Sequence, residues 1–249
     1  MLLLTDLTVQ YSNKHLIEVN CGFQFPEETS QWDSTFFGQY YEKIKDKGFT
    51  DKEERKGVQI IFNNISVEPT KPVVSTSPVE DQVVFRDNIK GLAIIIGKGK
   101  ISFHCVQNYA EWDIFVSSFI KPFYEIYEKL GLGNGKRQCN VVYLNRFERD
   151  HEIELSKYFT IISSMDSNFG KEVITNVQRL FSNKENLLIA KLNSQIVEEK
   201  QIVNLECGAV CINEDYINNA DWISQANKTH EPIKSFFESV VTNELKSEL

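Results

Sequence analysis

Apolar and polar positions change period several times along this chain, and each change marks an element. From Leu16 to Phe25 they alternate in part and stop at Pro26, which predicts a strand. Trp32 to Lys47 places Phe36, Phe37, Tyr40, Tyr41 and Ile44 at helical spacing. The charge cluster Asp51 to Lys56 reads as a solvated turn, and Val58 to Glu68, rich in β-branched residues, as a strand. Glu68 to Asp81 carries Pro69, Pro72 and Pro78 among Ser, Thr and Val, which predicts a surface loop. Gln82 to Arg86, Leu92 to Ile96 and Lys100 to Gln107 follow as strands, the last two joined through Gly97-Lys98-Gly99 as a hairpin.

Tyr109 to Leu130 predicts a long helix, with Trp112, Phe115, Val116, Phe119, Phe123, Ile126, Tyr127 and Leu130 on one apolar stripe. Pro122 lies inside it and is expected to kink or divide it, and Gly131 and Gly133 to end it. The pattern then starts again. Gln138 to Phe147 predicts a strand and Glu154 to Phe159 a short helix. Strands near Lys171 to Phe181, Asn186 to Leu192 and Gln201 to Ile212 come next, and Asn219 to Leu245 predicts a closing helix.

Two segments also match residue by residue. Ala110-Glu111-Trp112 with Pro122-Phe123 returns as Ala220-Asp221-Trp222 with Pro232-Ile233, at a constant offset of 110 residues. A spacing held across half a chain points to a duplicated unit. The expected fold class is α+β, a tandem duplication of a strand-helix-three-strand-helix unit. It would form one mostly antiparallel sheet with long helices packed on one face. Residues 1–249 are expected to form a single compact α+β domain with pseudo-repeats at about 10–131 and 137–249.

Composition narrows the function classes. The chain has 249 residues, 41% hydrophobic and 25% charged, which suits a soluble globular protein with a sizeable core. A net charge of −8 disfavours phosphate-driven nucleic-acid binding. The opening Met1-Leu2-Leu3-Leu4 is too short for a signal peptide's apolar core, and no run approaches a membrane span. The five cysteines, Cys21, Cys105, Cys139, Cys207 and Cys211, are odd in number and sit in apolar runs. Reduced core thiols in a cytoplasmic protein explain them.

Candidate chemistry is sparse. Cys207 and Cys211 lie in a predicted strand, where four residues span about 13 Å, too far for one zinc or a disulfide. Gly131-Leu132-Gly133-Asn134-Gly135-Lys136 follows a helix and precedes a strand, the reverse of a phosphate loop. Neither a catalytic constellation nor a cofactor or metal motif emerges, so the chain is read as a non-enzyme. His230 takes the place of Ile120 in the first copy, on or beside the apolar stripe. In the strand opening the second half, alternation sends Tyr143 and Asn145 to one face and Arg146 and Glu148 to the other. Arg146 either forks to a ligand's carboxylate or phosphate or pairs with Glu148 or Asp150. Tyr143, Asn145, Arg146 and His230 are therefore the candidate ligand- or partner-binding residues.

The chain resembles a sporadically distributed prokaryotic family of about 250 residues. Four places carry the likeness: Trp112 with Phe115, Tyr143-Leu144-Asn145-Arg146, Leu155 with Tyr158-Phe159, and His230 through Thr242. The second matches an Arg-Tyr-Ile-Asn-Arg strand, although Val142 stands where the family has its first arginine. The family's proline-rich opening is replaced by Asn13-Lys14-His15-Leu16-Ile17. The resemblance implies the fold and a cytoplasmic setting and carries over no activity. Its patchy distribution resembles that of phage-defence or toxin–antitoxin cargo. The expected function is a non-catalytic accessory subunit that recognises a protein partner. The alternative is a small-molecule or nucleotide sensor holding its ligand between the two repeats.

Overall fold

A computed structural model describes residues 15–25, 33–63, 73–106, 108–133, 135–162, 174–219 and 221–248. Among these are nine strands in the hydrogen-bonded order β2-β3-β4-β5-β1-β6-β9-β8-β7, with a few helices, an α+β fold. They are β1 (Leu16–Gln24), β2 (Asp51–Asn63), β3 (Val73–Asp87), β4 (Leu92–Gly97), β5 (Lys100–Cys105), β6 (Gln138–Arg149), β7 (Ile174–Ser182), β8 (Asn186–Val197) and β9 (Lys200–Cys211). The pairings β2–β3, β3–β4, β4–β5, β6–β9, β9–β8 and β8–β7 are antiparallel. The chain divides into two compact units. One comprises 20–139 and 214–223; the other comprises 1–19, 140–213 and 224–249.

In the first unit, which holds β2 to β5 and most of β1, helix α1 (Thr35–Ile44) buries Phe37, Tyr40 and Ile44. The Tyr40 hydroxyl donates to the Phe123 carbonyl at 3.0 Å, so a fully buried phenol keeps a partner. Alternation places Cys21 and Phe23 of β1, Ile94 and Ile96 of β4, and Ile101 and Phe103 of β5 in the core. The hairpin from β4 to β5 turns at Lys98-Gly99, with Gly99 at φ +61°, as the sequence predicts.

The charge cluster at Asp51 is not a turn. It opens β2, where Asp51 to Arg55 pair with Arg86 to Gln82, and Glu53 meets both Arg55 and Arg86. Cross-strand charge pairing lets an acidic and basic run stay extended. The expected loop from Glu68 to Asp81 is also corrected, because β3 begins at Val73 and Pro78 lies within it, opposite Val58. Strand β4 pairs with β3 only from Gln82 onward. Pro78 therefore sits beyond that second ladder, where a missing amide donor is tolerated. Residues 64–72, which hold Pro69 and Pro72, lie outside the described residues.

The first long helix begins at Trp112 rather than Tyr109, and Pro122 does not divide it. Helix α2 (Trp112–Ile114) runs into a π-helical segment (Phe115–Ile120) and then α3 (Lys121–Lys129). The wider turn accommodates a residue that has no amide to donate and whose ring crowds the carbonyl four residues back. It also rotates the side chains that follow. Ile120 and Tyr124 are buried with Phe119, Phe123 and Tyr127, while Ile126 and Leu130 are only half-buried.

The predicted closing helix is four helices: α5 (Glu214–Asn219), α6 (Trp222–His230), α7 (Ile233–Val240) and α8 (Asn243–Lys246). Glu231 and Pro232 interrupt it as a turn, the usual consequence of proline without a π-turn to absorb it. In the second unit, α7 buries Ile233, Phe236 and Val240, and β9 buries Val203, Leu205, Cys207 and Ala209. The short helix α4 (Leu155–Tyr158) stands where the sequence placed it. No helix among the described residues is long and apolar enough to cross a membrane.

Gly208 marks a close approach between β9 and β6. A Cβ there would meet Val142 Cγ2 at 2.9 Å and the Val141 carbonyl oxygen at 3.0 Å. Because one obstacle is backbone, Gly208→Ala is expected to cost about 1–3 kcal/mol, read as a lower urea midpoint with unchanged m.

Candidate functional site

Strand β6 presents its odd residues, Cys139, Val141, Tyr143, Asn145 and Phe147, to the packed side and its even residues to the other. Asn145 is buried, opposite Leu205 of β9. Tyr143 and His230 come together. The Tyr143 hydroxyl lies 3.0 Å from His230 Nε2, with the rings tilted and their centroids 5.8 Å apart. Helix α6 brings His230 there from near the end of the chain, so both residues lie in the second unit with Asn145 and Arg146. Sequence reading chose the two residues separately and did not foresee the contact.

Arg146 does not join them. It sits on the opposite face and pairs with Glu148 at 3.1 Å, both groups substantially exposed, while Asp150 lies 3.7 Å from Lys200. An exposed pair of this kind contributes about 0–1 kcal/mol. The four candidates therefore split between two faces of one strand. A Tyr–His hydrogen bond can orient a ring or relay a proton, but relay chemistry also needs a nucleophile or an activated water.

On β5, Ser102 Oγ lies 2.8 Å from His104 Nε2. The contact follows from strand period, since residues two apart share a face. It makes a poor acyl-transfer site, because β5 lies between β4 and β1 in the ladder, so its backbone amides face strands rather than an oxyanion. A cavity of about 560 Å³ opens in the first unit beside Ser34, Thr35, Gly38, Lys52 and Glu54. Lys52 is paired to Glu54 at 2.9 Å, and the Thr35 amide donates to Asp33, so its polar rim is largely satisfied.

All five cysteines are buried, and none is in a disulfide. Cys21 and Cys139 were not linked by sequence reading, yet their sulfurs lie 3.9 Å apart. Burial holds the Cys21 thiol well above its usual range, with the Cys139 contact adding to the effect. Burial and the Glu206 charge push Cys207 up to about 12. These are packing thiols, not nucleophiles. Among the described residues, no three His, Cys, Asp or Glu side chains gather as a metal site requires.

The broadest feature is the other face of the second unit's sheet. Register aligns Leu180, Ile189, Gly208 and Val142 across β7, β8, β9 and β6, with Leu187 and Val210 in the neighbouring row. Ile189, Val142, Leu187 and Val210 are half-exposed, and Leu180 is 54% exposed. Beside them Lys191 bridges to Glu206 at 2.8 Å. The signal was present in the run Leu187-Leu188-Ile189-Ala190, apolar at both parities where a one-sided strand alternates. No protein-family model, curated protein or solved structure matches this chain.

Two outcomes follow from the buried polar groups. Tyr143→Phe removes one hydrogen bond and is expected to cost about 0.5–1.5 kcal/mol in urea melts. The folded-state pKa of Cys207 lies above its ordinary value of 9.0, so the folded chain holds that proton longer than the unfolded one. Stability is therefore full below pH 9 and falls as pH rises from about 9 toward 12, by at most about 1.4 kcal/mol per unit for this thiol. Urea midpoints measured across that range should decline less steeply in Cys207→Ala.

Proposed function

We propose that this chain is a non-catalytic binding subunit that recognises a protein partner, as part of a prokaryotic antiviral-defence or toxin–antitoxin module. The half-exposed row of Leu180, Ile189 and Val142, with Leu187 and Val210 beside it, carries the reading. Apolar side chains standing side by side on a sheet surface, bordered by the Lys191–Glu206 pair and Asn204, resemble the apolar core and polar rim of a protein interface.

Membership of the sporadically distributed prokaryotic family belongs to the same proposal and rests on the motifs around Trp112, Tyr143 and His230. So does the internal duplication. It is supported by burial at the same offset of both Trp112 and Trp222, Val116 and Ala226, and Phe123 and Ile233. It is supported too by connectivity: β1 neighbours β5 and β6 neighbours β9, the opening strand of each half beside that half's last strand. The module assignment follows from the family's patchy distribution.

A tagged full chain, drawn from its native host and read by quantitative mass spectrometry, is expected to bring down one stoichiometric protein. Ile189→Lys should lower the recovery at least about tenfold with unchanged circular dichroism, whereas Ile89→Lys, at a 93% exposed position of the first unit, should leave it intact. A chain that emerges alone overturns the reading.

A further inference from the structure

The two end strands of the ladder differ in how their outer edges are dressed. Strand β2 starts Asp51-Lys52-Glu53-Glu54-Arg55, and its register with β3 breaks between Arg55 and Gly57. Edge charges and a bulge are the devices by which proteins prevent unwanted strand pairing. Strand β7 has no bulge and a single charge, Arg179. Its nine residues, Ile174 to Ser182, contain no proline and no acidic residue. Its pairing with β8 runs unbroken from Ile174–Gln195 to Ser182–Leu187. Leu180 is 54% exposed and Phe181 47%, although Phe181 also touches Phe236.

A strand at the end of a ladder presents one side of its amides and carbonyls outward, and an extended peptide can continue the sheet there. The charge on β7 selects the occupant. Arg179 is its single charged residue; it is exposed and makes no ion pair among the described residues. A second copy pairing through the same strand would set no carboxylate against either Arg179, between chains that each carry −8. A segment of different sequence that carries a carboxylate is the complement that Arg179 offers.

We infer that the outer edge of β7 binds an extended acidic segment of a partner protein by strand addition. The segment would carry a carboxylate toward Arg179 and apolar side chains at alternate positions, some reaching the Leu180–Ile189 row. This rests on the binding-subunit reading and names the edge and the chemistry through which it acts.

The test uses the full chain and a fluorescein-labelled peptide, Thr-Val-Thr-Val-Asp-Val-Thr-Val-Thr, with a counterpart carrying Lys in place of Asp, followed by fluorescence anisotropy. The acidic peptide is expected to bind at least about tenfold tighter, with the difference shrinking as salt rises. Arg179→Glu should reverse the preference, and Leu180→Lys should weaken binding of the acidic peptide. Both positions are exposed, and circular dichroism checks that each variant folds. Hydrogen exchange should show protection by the acidic peptide concentrated on β7. Absence of binding, a preference unchanged by Arg179→Glu, or protection confined to other strands overturns the inference. So does a homodimer in sedimentation that Leu180→Lys disperses, since it assigns the edge to a second copy. A host protein captured equally by wild type and Arg179→Glu removes the edge but leaves the binding-subunit reading standing. Failure of every variant to capture a host protein counts against that reading alone.

Discussion

One cluster of rings holds the first unit together. Phe23 of β1 meets Tyr124 of α3 at 5.0 Å and Trp222 at 5.9 Å, and Tyr124 meets Trp222 at 4.8 Å. The three come from widely separated parts of the chain, so the cluster forms only when the opening strand, the middle helix and the start of α6 have all arrived. Each ring pair adds about 0.5–1.5 kcal/mol beyond the area it buries. From there the aromatic stripe continues through Phe103, Phe119, Phe49 and Phe123. Strand register and helix phase in this unit are slaved to that packing. A slip of one residue in β1 would turn Phe23 away from Tyr124 and expose it.

The same requirement explains the helix around Pro122. Phe119, Phe123 and Tyr127 lie in the core, and Ile126 and Leu130 at the stripe's margin are half-buried. The π-turn reconciles the proline's geometry with the stripe the core needs. At Pro232 the packing is satisfied differently: α6 stops at His230, and α7 starts afresh with Ile233, Phe236 and Val240 inward. His230, at the last position of α6, thereby meets Tyr143.

The buried polar groups are taken up by packing. Catalysis needs donors and acceptors left available to a substrate, with pKa values drawn toward neutrality. Here the large shifts belong to two buried thiols, Cys21 and Cys207, and the buried Tyr40 phenol, all raised by burial. Most ion pairs among the described residues lie at the exterior, where each contributes little. What is unusual is apolar: a sheet face with Leu187, Ile189 and Val142 half-exposed, ending at strand β7, which carries Leu180 and an Arg179 that makes no ion pair among the described residues.

The sequence by itself determined the elements whose signal is local. Strand alternation, the Gly97-Lys98-Gly99 hairpin and the helical stripe after Trp112 all depend on neighbours within a few positions, and all stand close to where the pattern placed them. Tyr143, Asn145 and Arg146 could be assigned to opposite faces of β6 for the same reason. Only the tertiary structure decided the rest. A charged run at Asp51 became a strand because β3 supplied Arg86, 35 residues on, and Pro78 entered a strand because β4 had not yet begun to pair there. Tyr143 found His230, and Cys21 found Cys139, across 87 and 118 residues. Local pattern tells each residue which side to face, but the partner waiting on that side is chosen by packing between segments distant in the chain.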